Sequence, residues 1–177
     1  MPIFGVSQIY DPVGWSFSKQ QISENTYELT FIADIEPGWA LYSNDIYNNG
    51  VDCEVEICPI PVSFEFNKNN DTQRNYNLVG DIVELDENKQ VSSDPIFLME
   101  VTKFIKRATF KQIIKLNADN ANVSGYLTFM VCDDTKCLPP TDVDFLFEFG
   151  ESKEQDAKIE NLDTQNSNEN KFSRSMD

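Results

Sequence analysis

Apolar and polar residues alternate with a period of two through the middle of the chain. In Tyr27-Glu28-Leu29-Thr30-Phe31-Ile32-Ala33-Asp34-Ile35 the odd positions are apolar and the even ones mostly polar. Successive side chains of a strand point to opposite faces, so this run predicts a strand with one buried face. The pattern recurs in Val62 to Phe66, Ala108 to Leu116, Tyr126 to Val131 and Val143 to Phe149. No long helical period separates these runs, and together they predict an all-β fold, an antiparallel β-sandwich. Leu29, Phe31, Phe64, Phe66, Phe110, Phe129, Phe145 and Phe147 are the side chains expected to share its core.

Turn residues punctuate the runs at Glu36-Pro37-Gly38, Asn48-Asn49-Gly50, Asn117 to Asn122 and Pro139-Pro140. Two connections look longer: a polar excursion over residues 43–60, and an acidic one over residues 80–96. Loops of that length are more often functional or mobile than inert. From about Glu151 to Asp177 the sequence becomes polar, with only Ile159, Leu162, Phe172 and Met176 as sizeable apolar side chains. Burial there cannot offset the entropy of ordering, which predicts a disordered tail or linker, with a short docked helix around Ala157 to Leu162 as the alternative. Residues 1–8 are apolar and end in small residues, like the last part of an export signal. One domain is therefore expected over residues 9–150.

The chain has 177 residues and a formal net charge of -16. Such a surface repels nucleic acid and anionic membranes, so a protein is the expected partner. No run approaches the length of a membrane span. There is no histidine, which excludes Ser-His and Cys-His catalytic pairs and any zinc site that needs imidazole.

Four cysteines stand in two C-x4-C pairs, Cys53 with Cys58 and Cys132 with Cys137. An even count suits an oxidising compartment. The second pair lies in Phe129-Met130-Val131-Cys132-Asp133-Asp134-Thr135-Lys136-Cys137-Leu138-Pro139-Pro140, between an alternating run and a proline pair. A four-residue spacer can bring two Cα atoms within the roughly 4.4–6.8 Å that a disulfide spans, either in a hairpin or between neighbouring strands. That bond is either redox-active or structural; zinc held by four thiolates is the rival arrangement. In the alternating register Cys132 falls on the face opposite Leu127, Phe129 and Val131, away from the presumed core, which argues against a buried inert thiol. Asp133 and Asp134 disfavour a thiolate, and Lys136 offsets them only in part. Cys53 and Cys58 are expected to form a local structural disulfide, with a second redox pair as the alternative; Asp52, Glu54 and Glu56 discourage thiolates there too.

Two segments, Pro37-Gly38-Trp39-Ala40-Leu41-Tyr42-Ser43 and Val131-Cys132 through Cys137-Leu138-Pro139-Pro140, resemble the N-terminal periplasmic domain of the thiol:disulfide interchange protein DsbD. The opening Tyr10-Asp11-Pro12-Val13-Gly14-Trp15-Ser16-Phe17 resembles that domain's first strand, so the likeness covers about residues 9–150. It implies an immunoglobulin-like sandwich with a redox-active pair partly shielded by an aromatic cap. Cys137 would form the mixed disulfide with partners and Cys132 would resolve it. Phe97, in Asp94-Pro95-Ile96-Phe97, would be the cap, placed by counting back from a strand expected to start near Phe104. Tyr42 would pack beside it, and Asp94 would stand in for the acidic residues that precede the cap phenylalanine in relatives.

The resemblance further implies an exported, periplasmic carrier, a component of a protein-disulfide reductase that needs no cofactor or metal. Thioredoxin-like proteins and disulfide isomerases would be its donor or acceptors, with cytochrome c maturation proteins among the recipients. A membrane electron-transfer domain would belong to a fuller protein. The Cys53 to Cys58 segment departs from the family as an insertion after Tyr42. The competing reading is a redox-silent exported binding module held by two disulfide staples.

Overall fold

A computed structural model describes residues 11–46, 58–67, 75–118 and 121–150. Eleven strands follow in order: β1 (Val13–Ser23), β2 (Thr26–Ile35), β3 (Ala40–Tyr42), β4 (Ser63–Phe66), β5 (Tyr76–Glu84), β6 (Lys89–Asp94), β7 (Met99–Phe104), β8 (Arg107–Leu116), β9 (Asn122–Phe129), β10 (Val131–Cys132) and β11 (Thr141–Glu148). They form three sheets with orders β1-β2-β8-β5, β11-β9-β4 and β10-β3-β7-β6. Every strand pair is antiparallel. The described residues contain no helix, and none is long and apolar enough to cross a membrane. The fold is an all-β, immunoglobulin-like sandwich.

The alternation of β2 places Leu29, Phe31 and Ala33 at full burial and leaves Asp34 exposed. Phe31 joins the first sheet to the second. Its ring meets Phe64, Phe145 and Phe147 edge-on, with centroids 5.0, 5.0 and 5.6 Å away, the geometry that the ring quadrupole favours. All eight side chains expected in a common core pack in one cluster. Phe64 and Phe66 are only half-buried, because β4 is a short strand at the edge of its sheet.

Three expectations change. Residues 80–96 are not an open loop: β5 continues to Glu84, and β6 returns as the first arm of a hairpin with β7. The acidic side chains hid a strand, since an exposed face needs no alternation of its own. The run from Tyr126 to Val131 is broken at Met130, where the chain leaves β11 and β4 as partners and joins β3. Phe104 ends β7 instead of starting a strand, and β8 begins at Arg107 after a turn in which Lys106 adopts φ 67°. Residues 1–8, the Asn48-Asn49-Gly50 turn, Cys53 and the 151–177 tail lie outside the described residues.

One glycine sets how closely two strands approach. A Cβ on Gly125 of β9 would lie 2.0 Å from the Glu65 carbonyl oxygen and 2.6 Å from Phe145 Cζ. Gly125→Ala is expected to destabilise the fold by about 2 kcal/mol or more, through overpacking against a backbone that cannot yield. Gly14→Ala on β1, where nothing lies within 4 Å, should be neutral or stabilise by roughly 0.5 kcal/mol. Urea denaturation of the two variants checks the contrast.

Candidate active site

The third sheet has two apolar faces, and alternation assigns them. Leu41, Phe104 and Val131 point into the main core. Their neighbours Tyr42, Val101 and Cys132 point the other way, into a second cluster with Ile46, Phe97 and Met130. A sheet buried on one side only would leave this second set in water. Here the turn between β6 and β7 folds over it.

Cys132 and Cys137 are joined by a disulfide, with Cα atoms 4.0 Å apart, closer than the usual span. The hairpin around them explains the approach. Leu138 N donates to Val131 O at 2.9 Å and Asp133 N donates to Lys136 O at 2.9 Å, so the two cysteines face each other between hydrogen-bonded positions, as an isolated antiparallel bridge. Cβ atoms approach most closely at such a site. Asp133 shapes the loop: its Oδ1 accepts from the Thr135 amide at 2.7 Å, the Thr135 hydroxyl at 2.7 Å and the Lys136 amide at 2.8 Å. The Thr135 contacts foremost hold its carboxyl below the usual range. Its part in the sequence reading was only to oppose a thiolate; the Asp-x-Thr spacing of an Asx turn was the signal for this second role. Lys136 Nζ lies 5.8 Å from the centroid of the Trp39 ring, a cation–π contact.

The outward orientation expected for Cys132 is found, but the exposure is not. Cys132 is only 4% exposed, because a second apolar layer covers the face on which it lies. Cys137 is half-buried and packs against the same cluster.

The covering layer is the turn Pro95–Leu98, and Asp94 builds it. Its Oδ1 accepts from the amides of Ile96 at 2.9 Å and Phe97 at 3.2 Å. Its own carbonyl accepts from Leu98 N at 2.9 Å, and Leu98 takes the left-handed conformation at φ 55°. The other carboxylate oxygen accepts from the Tyr42 hydroxyl at 2.9 Å and pairs with Lys103 Nζ at 3.5 Å. Phe97 is thereby pressed edge-on against Tyr42, with ring centroids 5.8 Å apart. Tyr42, Phe97 and the cysteine pair, which the resemblance named as one site, occupy one cluster, and Asp94 is hydrogen-bonded to it through Tyr42. Ile46, Val101 and Met130 were not foreseen there. Met130 was the readable one, since it shares a face with Cys132 two positions on.

Burial alone would raise the carboxyl of Asp94, but the Phe97 and Ile96 amides, the Tyr42 hydroxyl and Lys103 together hold it below its ordinary value. Tyr42 is pushed well above the usual phenol range, first by burial and then by the adjacent carboxylate. At neutral pH the pair is carboxylate and neutral phenol. Cys58 is also disulfide-bonded; Cys53 lies outside the described residues. No group of ligands suited to a metal ion occurs among the described residues.

No protein-family model and no curated protein sequence matches the chain. Solved structures do. The N-terminal periplasmic domain of ScsB from Proteus mirabilis superposes with a TM-score of 0.52 at 17% identity, covering 78% of this chain and 47% of that one. The reduced N-terminal domain of Neisseria meningitidis DsbD gives 0.46 at 14% identity, covering 76% of this chain and 86% of that one. This chain spans less than half of the ScsB chain. The fold anticipated from the tryptophan and cysteine segments, that of a DsbD-type N-terminal domain, is the fold observed.

Asp94 makes cap stability dependent on pH in one direction. Its folded-state pKa lies below the unfolded value, so its contribution is complete above about pH 4 and is lost as the pH falls through the folded value. Asp94→Ala strands Lys103 and the Tyr42 hydroxyl and should cost about 3 kcal/mol at pH 7. Denaturation curves of wild type and variant should converge as the pH drops below about 4; a gap that persisted in acid would show that the carboxylate charge is not what holds the turn.

Proposed function

We propose that this protein is a thiol–disulfide exchange carrier of the periplasm, passing reducing equivalents through Cys132 and Cys137. The observation that supports this most is the asymmetry of the pair: one buried cysteine and one half-buried, on the face turned from the main core, under a turn carrying Phe97. A staple needs no separate cap over it. A carrier does, because its dithiol must meet partners and not small oxidants.

In the reduced state the Cys137 thiolate attacks one sulfur of an oxidised partner. A mixed disulfide forms and the partner's second sulfur leaves as thiolate, to be protonated. Cys132 gives up its proton and attacks Cys137 Sγ, restoring the 132–137 bond and releasing the partner's first sulfur. Two electrons pass to the partner. A dithiol protein of the thioredoxin class then reverses the steps on this side. Disulfide isomerases and other thioredoxin-like proteins are the partners of this reading, and a membrane electron-transfer domain is the upstream source. Residues 9–150 are the carrier domain, 151–177 the linker or tail, and Cys53 with Cys58 a local staple. With no histidine in the chain, and with Lys136 only partly offsetting Asp133 and Asp134, the isolated dithiol is slow, and partner docking supplies the activation.

The near-complete burial of Cys132 favours one other reading, a redox-silent exported module. The reduction potential separates the two, since structural disulfides lie below about -300 mV and exchange-active ones above.

Replacing Cys132 by Ser removes the resolving thiol and should accumulate a reductant-sensitive adduct with a thioredoxin-like protein on a non-reducing gel, whereas Cys137→Ser should give little. Phe97→Ala should speed reduction of the 132–137 bond by glutathione at least severalfold. A glutathione rate no different from wild type would place Phe97 as filler for the cluster only.

A further inference from the structure

The cap turn does not cover the whole outer face of the third sheet. Beside it lies an open groove of about 540 Å³, within the roughly 300–1,000 Å³ of ligand clefts. Register explains its walls. Gln90 lies opposite Lys103, Lys103 opposite Tyr42, and Ala40 opposite Cys132, so these residues share the sheet's outer face. Gln90 and Ser92 of β6 form one wall, Cys132 and Asp134 the other, and Trp39 and Ala40 supply apolar surface between. From β6 to β10 there are three strand spacings, on the order of 14 Å, or about four residues of extended chain.

The charge of this groove is unequal. Lys103 is neutralised by Asp94 at 3.5 Å, which leaves Lys106 as the lining cation against Asp133 and Asp134. Asp133 is held ionised by its hydrogen bonds within the loop. A partner sulfur that reaches the disulfide brings its flanking residues with it, and Cys132 itself lines the groove. We propose that the groove seats an extended cationic peptide segment, the stretch of the oxidised partner on one side of its reactive cysteine. This rests on the exchange reading and adds to it the chemistry of the partner: recognition by charge and extended shape, next to the reacting bond, in a chain whose net charge of -16 already draws cations.

Two peptides test it, Ala-Lys-Cys-Lys-Ala and Ala-Glu-Cys-Glu-Ala, each as its disulfide-linked dimer, mixed with protein reduced beforehand and freed of reductant. The lysine peptide should be reduced at least tenfold faster at low ionic strength, with the ratio shrinking as salt is added. Gln90→Lys should lower that ratio at least threefold. Gln20→Lys, the same charge change on an exposed position of β1, should leave it nearly as in wild type. A ratio near one in wild type, or equal losses in the two variants, would overturn the groove and leave only a general field. Should neither peptide be reduced, the exchange reading is judged separately, by whether Cys132→Ser traps a thioredoxin-like protein. The groove is then judged by binding of Ala-Lys-Ser-Lys-Ala: saturable quenching of tryptophan fluorescence that Gln90→Lys weakens upholds it, and no quenching refutes it.

Discussion

The buried carboxylate of Asp94 is the contact on which the architecture around the disulfide depends. A charge removed from water is tolerated only where its lone pairs are satisfied, and here two amides, a phenol and an ammonium satisfy them. Each of those donors comes from a different part of the cap region: the amides from the turn, the phenol from β3, the ammonium from β7. One side chain therefore fixes the turn's internal shape and ties it to the sheet beneath. Phe97 has its position because Asp94 has these partners. An apolar residue at 94 could fill the same volume, but it could not specify a turn.

Around that polar contact the second cluster behaves as a small core of its own. Val101, Met130 and Ile46 bury what Phe97 and Tyr42 leave uncovered, and the sheet is sandwiched between this cluster and the main core. The disulfide thus lies at the edge of an apolar layer only one turn thick. In such a layer a thiolate gains little from solvent, and on the proposed reading reactivity awaits a partner that replaces the cap. Opening the turn exposes few side chains and leaves the Phe31 contacts between the first two sheets intact, the kind of local opening that can occur far below the cost of global unfolding.

What the sequence disclosed follows from what alternation can report. β2, β8, β9 and β11 were legible because one of their faces is packed and the other wet. β5 and β6 were not: Val79, Val83 and Val91 are about half exposed, so the inward Tyr76, Leu78 and Ile82 of β5 do not stand out against a polar outer face, and β6 is held by its pairing to β7. For Cys132 alternation gave the right face and the wrong exposure, since period two says which side a residue takes and nothing about whether another layer lies there. The layer comes from the turn between β6 and β7, far earlier in the chain, and only the resemblance placed Phe97 near the cysteines. Asp94 and Tyr42 were likewise named through it; their hydrogen bond joins positions 52 residues apart, beyond any local pattern.

The segment that begins at Ser43 adds a further constraint to the same cluster. Glu84 receives the Ser43 hydroxyl at 2.6 Å, the Asn44 amide at 3.0 Å and the Lys89 ammonium at 2.6 Å, which binds the start of the excursion to the β5–β6 hairpin. Ile46 then places its side chain in the cluster, and its carbonyl accepts from the Thr102 amide at 2.8 Å. The excursion returns at Val62, whose amide reaches the Tyr42 carbonyl at 3.4 Å, shortly after the disulfide-bonded Cys58. Both ends of this segment are thus fastened beside Tyr42, the residue that Asp94 holds. On the proposed reading of Cys53 and Cys58 as a local staple, that bond would shorten the loop to be closed between those ends. Its stabilising effect would then be felt at the base of the cap cluster, beside the residue that Asp94 holds.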